Sequence, residues 1–333
     1  MKLICLKKEL FHVSSDTINE FEQVILQDSI VTTIKPISDK LYIIKFFIYR
    51  LLRKAFSYTS RRTSKKYKKD PLGDKKHIFT LMMGFVEESK FKPYGLFTNH
   101  NRSIFLFDAW PHDFEKIIDF VDKFKIDYIF VSASQSAFIL NNKSNKNCYY
   151  WISEGINPIE YKQNIQLADK TIDVLALGRK YDRYHQLIVD EINTKKITYL
   201  YEKQKGELIF PTRVEFVEGL AKSKISICVP SNITHPERSG KIETMTIRYL
   251  QSMVSKCIIL GHAPAEMIEL FGYNPVIEID YANPVKQIET ILENYTEYEE
   301  LIERNYNEVI NNHTWKCRWE QIKSLYTANS KSQ

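Results

Sequence analysis

Glycine is scarce in this sequence. Ten glycines occur in 333 residues, well below the ~7% of an average protein. None stands in G-x-G-x-x-G or G-x-x-x-x-G-K-[ST] spacing, so the usual dinucleotide and P-loop fingerprints are excluded. H-E-x-x-H and G-x-S-x-G are also missing, which removes the zincin and nucleophile-elbow signatures. Cysteine is sparse as well. Cys5, Cys148, Cys228, Cys257 and Cys317 lie far apart, odd in number and without a C-x-x-C pair, so neither a disulfide framework nor a zinc site is indicated. A reducing, cytoplasmic location is the expectation. No apolar run reaches the 18 residues of a membrane span, and the apolar stretch at the N-terminus is too short for a secretory signal. Any contact with a membrane is therefore expected to be made from its surface.

What is present is an ordinary globular composition, 44% apolar and 26% charged. Single cores stop growing at roughly 250–300 residues, so a chain of this length is expected to divide into two domains. The net charge of +6 is unevenly placed. Residues 40–76 hold thirteen Lys/Arg against Asp70 and Asp74, a local charge of +11, and the remaining residues carry −5. Within that segment, residues 41–56 (LYIIKFFIYRLLRKAF) repeat apolar side chains at a helical period, with Lys45, Arg50, Arg53 and Lys54 elsewhere on the wheel. That pattern fits an interfacial helix on an anionic membrane surface, and equally a core helix followed by a solvated loop at 57–76. Nucleic-acid binding has only the charge in its favour, since no helix-turn-helix, ribonucleoprotein or OB pattern accompanies it.

Short β-branched or aromatic runs predict strands at 77–82, 103–107, 127–131, 171–177, 197–201, 224–229, 256–260 and 275–279. Helical periodicity fills 113–124, 184–193, 211–223, 244–255, 284–295 and 297–312. Alternating strand and helix predicts an α/β architecture with parallel sheets. Continuous apolar strands such as DYIFV and DVLAL agree, because a parallel sheet is covered on both faces. The Gly/Asn/Pro segment 151–163 (WISEGINPIEYKQ) reads as a linker, giving domains at 1–152 and 153–333, with the last helix placed to pack back on the first.

The chemistry concentrates in residues 224–280. An apolar strand ending at Val229 runs into the loop 230–241, which begins at Pro230 and Ser231 and contains His235, Glu237, Arg238, Ser239 and Lys241. A helix is expected from Ile242, apolar at Met245, Tyr249, Leu250, Met253 and Val254, with Thr244 and Arg248 on its other face. Cations at Arg238, Lys241 and Arg248, hydroxyls at Ser239, Thr244 and Thr246, and a helix N-terminus at the carboxyl end of a parallel sheet make an anion site. Glu243 suits a sugar or ribose hydroxyl. The competing reading is surface ion pairs among Glu237, Glu243 and Arg248, with the threonines as helix caps.

This block resembles the donor-binding core of GT-B glycosyltransferases of the bacterial group-1-like and group-4-like kind. Their pattern is an acid, seven residues, then a second Glu within R-x-F-E-A-M-A-x-G-x-x-V/I. Here Glu243 matches the first acid and the run from Arg248 to Ile259 (RYLQSMVSKCII) matches the second part, with Gln251 in place of the second Glu and Lys256 in place of a Gly. Two further places are similar: S-E-G-I-N-P at 153–158 to the family's linker, and Gly178, Arg179 and Lys180 after a strand to its donor-diphosphate contacts. The resemblance covers 150–325 by motif and 1–150 by architecture alone. It implies two Rossmann-like doubly wound domains facing across a cleft, and hexosyltransferase-type transfer from a nucleotide-sugar donor to a hydroxyl of a surface polysaccharide (lipopolysaccharide or capsule) or lipid-linked glycan.

No D-x-D occurs, so the expectation is a diphosphate neutralised by side chains, with no metal or other cofactor. The expected partners are the donor, the glycan or lipid-linked acceptor and, through residues 40–76, the anionic inner face of the cell membrane, with no nucleic acid. On the acceptor side, a strand ends directly in Asp108, with His112 four residues on, and either could serve as the base of an inverting reaction. Asp108 and Asp113 alternatively cap the helix that follows. Asn99, His100 and Ser132–Gln135, each after or between strands, are further candidates in the first domain. A nucleotide-sugar epimerase of the same fold, and a non-enzymatic module that uses the basic arm, are the competing functions.

Overall fold

The computed structural model describes residues 1–4, 16–34, 76–84, 100–162, 164–178, 180–204 and 206–330. The expected interfacial helix and loop at 40–75 lie outside the described residues, as do Asn99 and Arg179.

Two parallel sheets organise the chain. The first contains β1 (Lys2–Ile4), β2 (Thr32–Ile34), β3 (Lys76–Met83), β4 (His100–Phe107), β5 (Tyr128–Val131) and β6 (Tyr149–Trp151), in the order β2-β1-β3-β4-β5-β6. The second contains β7 (Ile172–Leu175), β8 (Tyr199–Leu200), β9 (Ser223–Cys228), β10 (Ile258–Gly261) and β11 (Ile277–Glu278), in the order β11-β10-β9-β7-β8. Every strand pair in both is parallel. Both sheets thus reverse direction of growth between their first and third strands, and in doubly wound folds the crevice at such a reversal takes the ligand. In the second sheet it opens between β7 and β9.

Among the described residues the helices longer than one turn are α1 (Asp16–Leu26), α2 (Phe114–Phe124), α3 (Ser134–Ser144), α4 (Asp182–Thr194), α5 (Arg213–Ala221), α6 (Ile247–Val254), α7 (Ala265–Phe271), α8 (Pro284–Glu293), α9 (Glu299–Asn312) and α10 (Trp315–Ser330). They cover both faces of both sheets. Ile104, Leu106, Ile129 and Val131 point to Phe114, Ile117 and Phe120 of α2 and Leu140 of α3. The alternate strand positions Phe79, Leu81, Phe105, Phe107 and Phe130 point to Phe21 and Ile25 of α1 and to Trp315, Trp319, Ile322 and Tyr326 of α10. In the second sheet, Val174, Ile225 and Ile258 meet α4 and α8, and Leu175, Cys228 and Ile259 meet α5, α6 and α9. Burial on both faces is what gave these strands their unbroken apolar sequence.

The chain passes between the two sheets twice, and the two passages pair. Ile156 N–H donates to His313 O at 3.1 Å, and Trp315 N–H donates to Ile156 O at 2.9 Å. After this bridge α10 lies on the first sheet, so the last helix of the chain completes the core of its first half.

Two expectations shift. β1, β2 and β6 and the helices α1, α3, α7 and α10 stand where the pattern gave no element. The helix expected from 242 opens at Ile247, because the N–H groups of Glu243 and Met245 bond to side chains of Gln135 and Glu266 and Thr246 is extended.

Candidate active site

The register places the loops after β7 and β9 side by side: Leu175 pairs with Ser226, so Gly178 and Val229 leave the sheet as neighbours. Gly178 turns the chain with φ +72°, and a Cβ there would come within 3.3 Å of Arg248 Cδ. The absence of a side chain lets Arg248 lie along the loop, where its Nη1 donates to Leu177 O at 3.2 Å. Two residues on, Lys180 Nζ is 3.8 Å from Asp182 and 5.6 Å from the ring centre of Tyr201. Across the switch point, Pro230 leads into a single turn, Ser231–Thr234. Ser231 is 8% exposed, and its Oγ, like Asn232 Oδ1 and Thr246 Oγ1, is buried without a partner among the described residues. A buried hydroxyl left unpaired costs free energy until something bonds to it. Gly178, Lys180, Ser231, Thr246 and Arg248 therefore belong to one edge of the second sheet.

The other expected residues divide. Arg238, on the turn Pro236–Ser239, points to the first half of the chain and donates through Nη2 to Asp108 Oδ2 at 2.7 Å. Ser239 is fully buried and its Oγ donates to His235 O, a local bond within its own turn. Lys241 is exposed. Thr244 is buried and donates to Glu266 Oε1 at 2.6 Å. Gln251 lies on the core side of α6, 3% exposed, where its Nε2 donates to Tyr161 Oη at 3.1 Å. From there a buried chain continues: Tyr161 to Glu20, and Arg213 to both Glu20 and Asp16, each between 2.8 and 2.9 Å. Burial pushes Glu20 up to about 7 despite Arg213. Gln251 thus ties α6 to α1 rather than facing the switch-point crevice.

On the facing side, Asp108 directly follows β4 with φ +53°, a left-handed conformation that Asp tolerates better than most residues. His112 is half exposed, with Nδ1 3.3 Å from Arg238 O and Nε2 3.1 Å from Asp113. Asp113 stands at the N-cap of α2 without a side-chain bond to it and pairs with Lys116 instead. Capping therefore does not account for either aspartate. The loop 132–135 reaches the second half: Ser134 N–H donates to Glu266 Oε2 at 2.9 Å, and Gln135 Oε1 accepts from Glu243 N–H at 3.0 Å.

Sequence reasoning missed Glu154 and Glu266. Glu154, from the linker, accepts from Ile247 N–H at 2.7 Å, the first residue of α6. Burial pushes it up to about 8, with Asp108 adding to the effect and Arg248 opposing it. Glu266 accepts from Thr244, Met245 and Ser134, and burial raises it also. The N–H groups at 243, 245 and 247, where a donor diphosphate was expected, are thus already taken by Gln135, Glu266 and Glu154. The cations of this region are Arg248, Lys180 and Arg238, of which Lys180 and Arg238 stand beside Asp182 and Asp108. A Glu in the first turn after a strand end, at the same sheet edge as the switch point, was the signal that could have revealed Glu266.

No family model and no curated sequence matches the chain. Solved structures do match its fold. Sucrose-phosphate synthase from Thermosynechococcus elongatus superposes with a TM-score of 0.57 at 10% identity, over 100% of this chain and 99% of that one. HepE of Anabaena, in complex with UDP, gives 0.55 at 8% identity over 98% and 99%. TarM gives 0.51 at 11% identity over 75% of this chain, which spans about half (54%) of TarM's length. With two parallel doubly wound sheets and paired crossings between them, the chain has the GT-B fold found in glycosyltransferases.

Proposed function

We propose that the protein is a metal-independent glycosyltransferase that moves a hexosyl group from a nucleotide-sugar donor to a hydroxyl of a surface polysaccharide or lipid-linked glycan. The observation that carries this reading is the β7/β9 switch point. There Arg248 lies against Gly178, and the buried Ser231 and Thr246 hydroxyls have no partner among the described residues. A diphosphate supplies oxygens for the two hydroxyls and charge for Arg248, and competes with Asp182 and Asp108 for Lys180 and Arg238. Arg179, which precedes Lys180 in the sequence, is a further candidate for the same diphosphate. Glu243, at the open end of α6, accepts from sugar hydroxyls. That HepE matches over nearly its whole length in complex with UDP supports a nucleotide diphosphate as the ligand class.

Asp108 and His112 face this edge from the first half and are the candidate bases for deprotonating the acceptor hydroxyl. Acceptor recognition falls to the first half, and the basic segment 40–76 holds the enzyme at the inner face of the cell membrane. The test is a transfer assay that follows nucleotide release from a panel of UDP-, GDP- and CMP-sugars, with and without glycan acceptors. Arg248→Ala and Glu243→Ala are expected to abolish transfer while circular dichroism stays native; undiminished turnover in both sinks the assignment. Conversion of free nucleotide sugar without any acceptor would instead identify an epimerase.

A further inference from the structure

Arg238, one of the proposed diphosphate cations, takes its side-chain partners among the described residues from the first half of the chain. Its Nη2 donates to Asp108 at 2.7 Å, and its guanidinium carbon stands 5.6 Å from the ring centre of Trp110. The backbone is met by the same segment: His112 Nδ1 lies 3.3 Å from Arg238 O, and Pro111 Cγ stands 3.4 Å from where a Cβ on Gly240 would be. The candidate base and a candidate donor ligand therefore neutralise each other. The pair is accessible, with a quarter to a third of each side chain exposed, and it is joined through one guanidinium nitrogen.

We infer that Asp108 and Arg238 form a donor-operated latch, a reading that rests on the proposed nucleotide-sugar site. A diphosphate presents several oxygens and more than one charge, which match the planar fork of Arg238 better than the single oxygen Asp108 gives it. Trp110, beneath the guanidinium, keeps Arg238 in place when its partner changes. Once the phosphate takes Arg238, the Asp108 carboxylate is freed at the edge that the acceptor hydroxyl approaches. Donor binds first, and the base becomes available only behind it.

Isothermal titration with UDP and, separately, inorganic diphosphate tests this on wild type, Asp108→Asn, Arg238→Ala and the double variant. Asn keeps the left-handed backbone of residue 108 accessible, and a native melting profile checks the fold. The latch predicts that Asp108→Asn tightens both probes about fivefold, the factor equivalent to about 1 kcal/mol for a partly exposed pair. In the Arg238→Ala background the same change gains nothing. Unchanged affinity in Asp108→Asn, or an equal gain without Arg238, overturns the latch while leaving the donor site standing. A wild type that binds neither probe overturns both.

Discussion

Gly155 and Trp315 meet backbone to backbone where the two passages between the sheets pair: a Cβ on residue 155 would stand 2.8 Å from Trp315 N and 2.9 Å from the carbonyl carbon of Thr314. Nothing there is the end of a flexible side chain, so the crossing strands would have to separate. Gly155→Ala is expected to destabilise the protein by about 1–3 kcal/mol, the range for overpacking. Calorimetry reads this as a fall of several degrees in Tm, and an unchanged Tm would show that the crossing tolerates separation.

Trp315 itself begins α10 and stacks on Phe21 of α1 at 4.3 Å between ring centres, fully buried. The first sheet therefore depends on the last helix for one of its two covers. Trp315→Ala is expected to cost about 3–5 kcal/mol. Limited proteolysis should then cut first within the first half of the chain, although the substitution lies near residue 315.

Glu154 carries a pH dependence. Its carboxyl titrates near 8 when folded, above the ~4.3 of a free Glu, so between those values the folded state binds the proton that the unfolded state has lost. Stability must then fall as pH rises through that window and level off above it. Glu154→Gln keeps an oxygen for Ile247 N–H and has no proton to lose. Its Tm is expected to fall less than that of wild type between pH 5 and 8.5; parallel curves would place the folded titration of Glu154 near its ordinary value.

The unpaired hydroxyl of Ser231 gives a prediction at the site. If a phosphate oxygen bonds to it, Ser231→Ala should weaken nucleotide binding about tenfold, as loss of a hydrogen bond to a charged group does, while leaving Tm without nucleotide within about 1 °C. Arg248→Ala should weaken it more. Titration calorimetry on the two variants checks the order, and Ser231→Ala binding as tightly as wild type would remove that hydroxyl from the site.

The central strands were legible because burial on both faces leaves an unbroken apolar signature: β3, β4, β5, β9 and β10 fall where the pattern put them. β1, β2 and β6 were not, since strands of three residues carry too little pattern. The helix α3 was hidden by its composition, SQSAFILNNKS, which puts Phe138 on the solvent side at 68% exposure and leaves a weak apolar face. At the site, sequence order alone brought Gly178, Ser231 and Arg248 to one loop cluster, because strand ends in a parallel sheet share an edge. It misjudged the direction of Gln251, which bonds inward to Tyr161, and gave no sign of Glu154 or Glu266. Their roles depend on approach between segments far apart in the chain, Glu154 to Ile247 and Glu266 to Ser134, which no local pattern encodes.

The most direct test of the account is a thermal-shift screen of the wild-type protein against UDP, GDP, CMP and their sugars, repeated on Arg248→Ala. A ligand present at 100 times its Kd stabilises the folded state by about 2.7 kcal/mol. The β7/β9 site predicts a clear rise in Tm with one nucleotide diphosphate and its sugars, absent from Arg248→Ala. No shift with any nucleotide, or an equal shift in the variant, would contradict it.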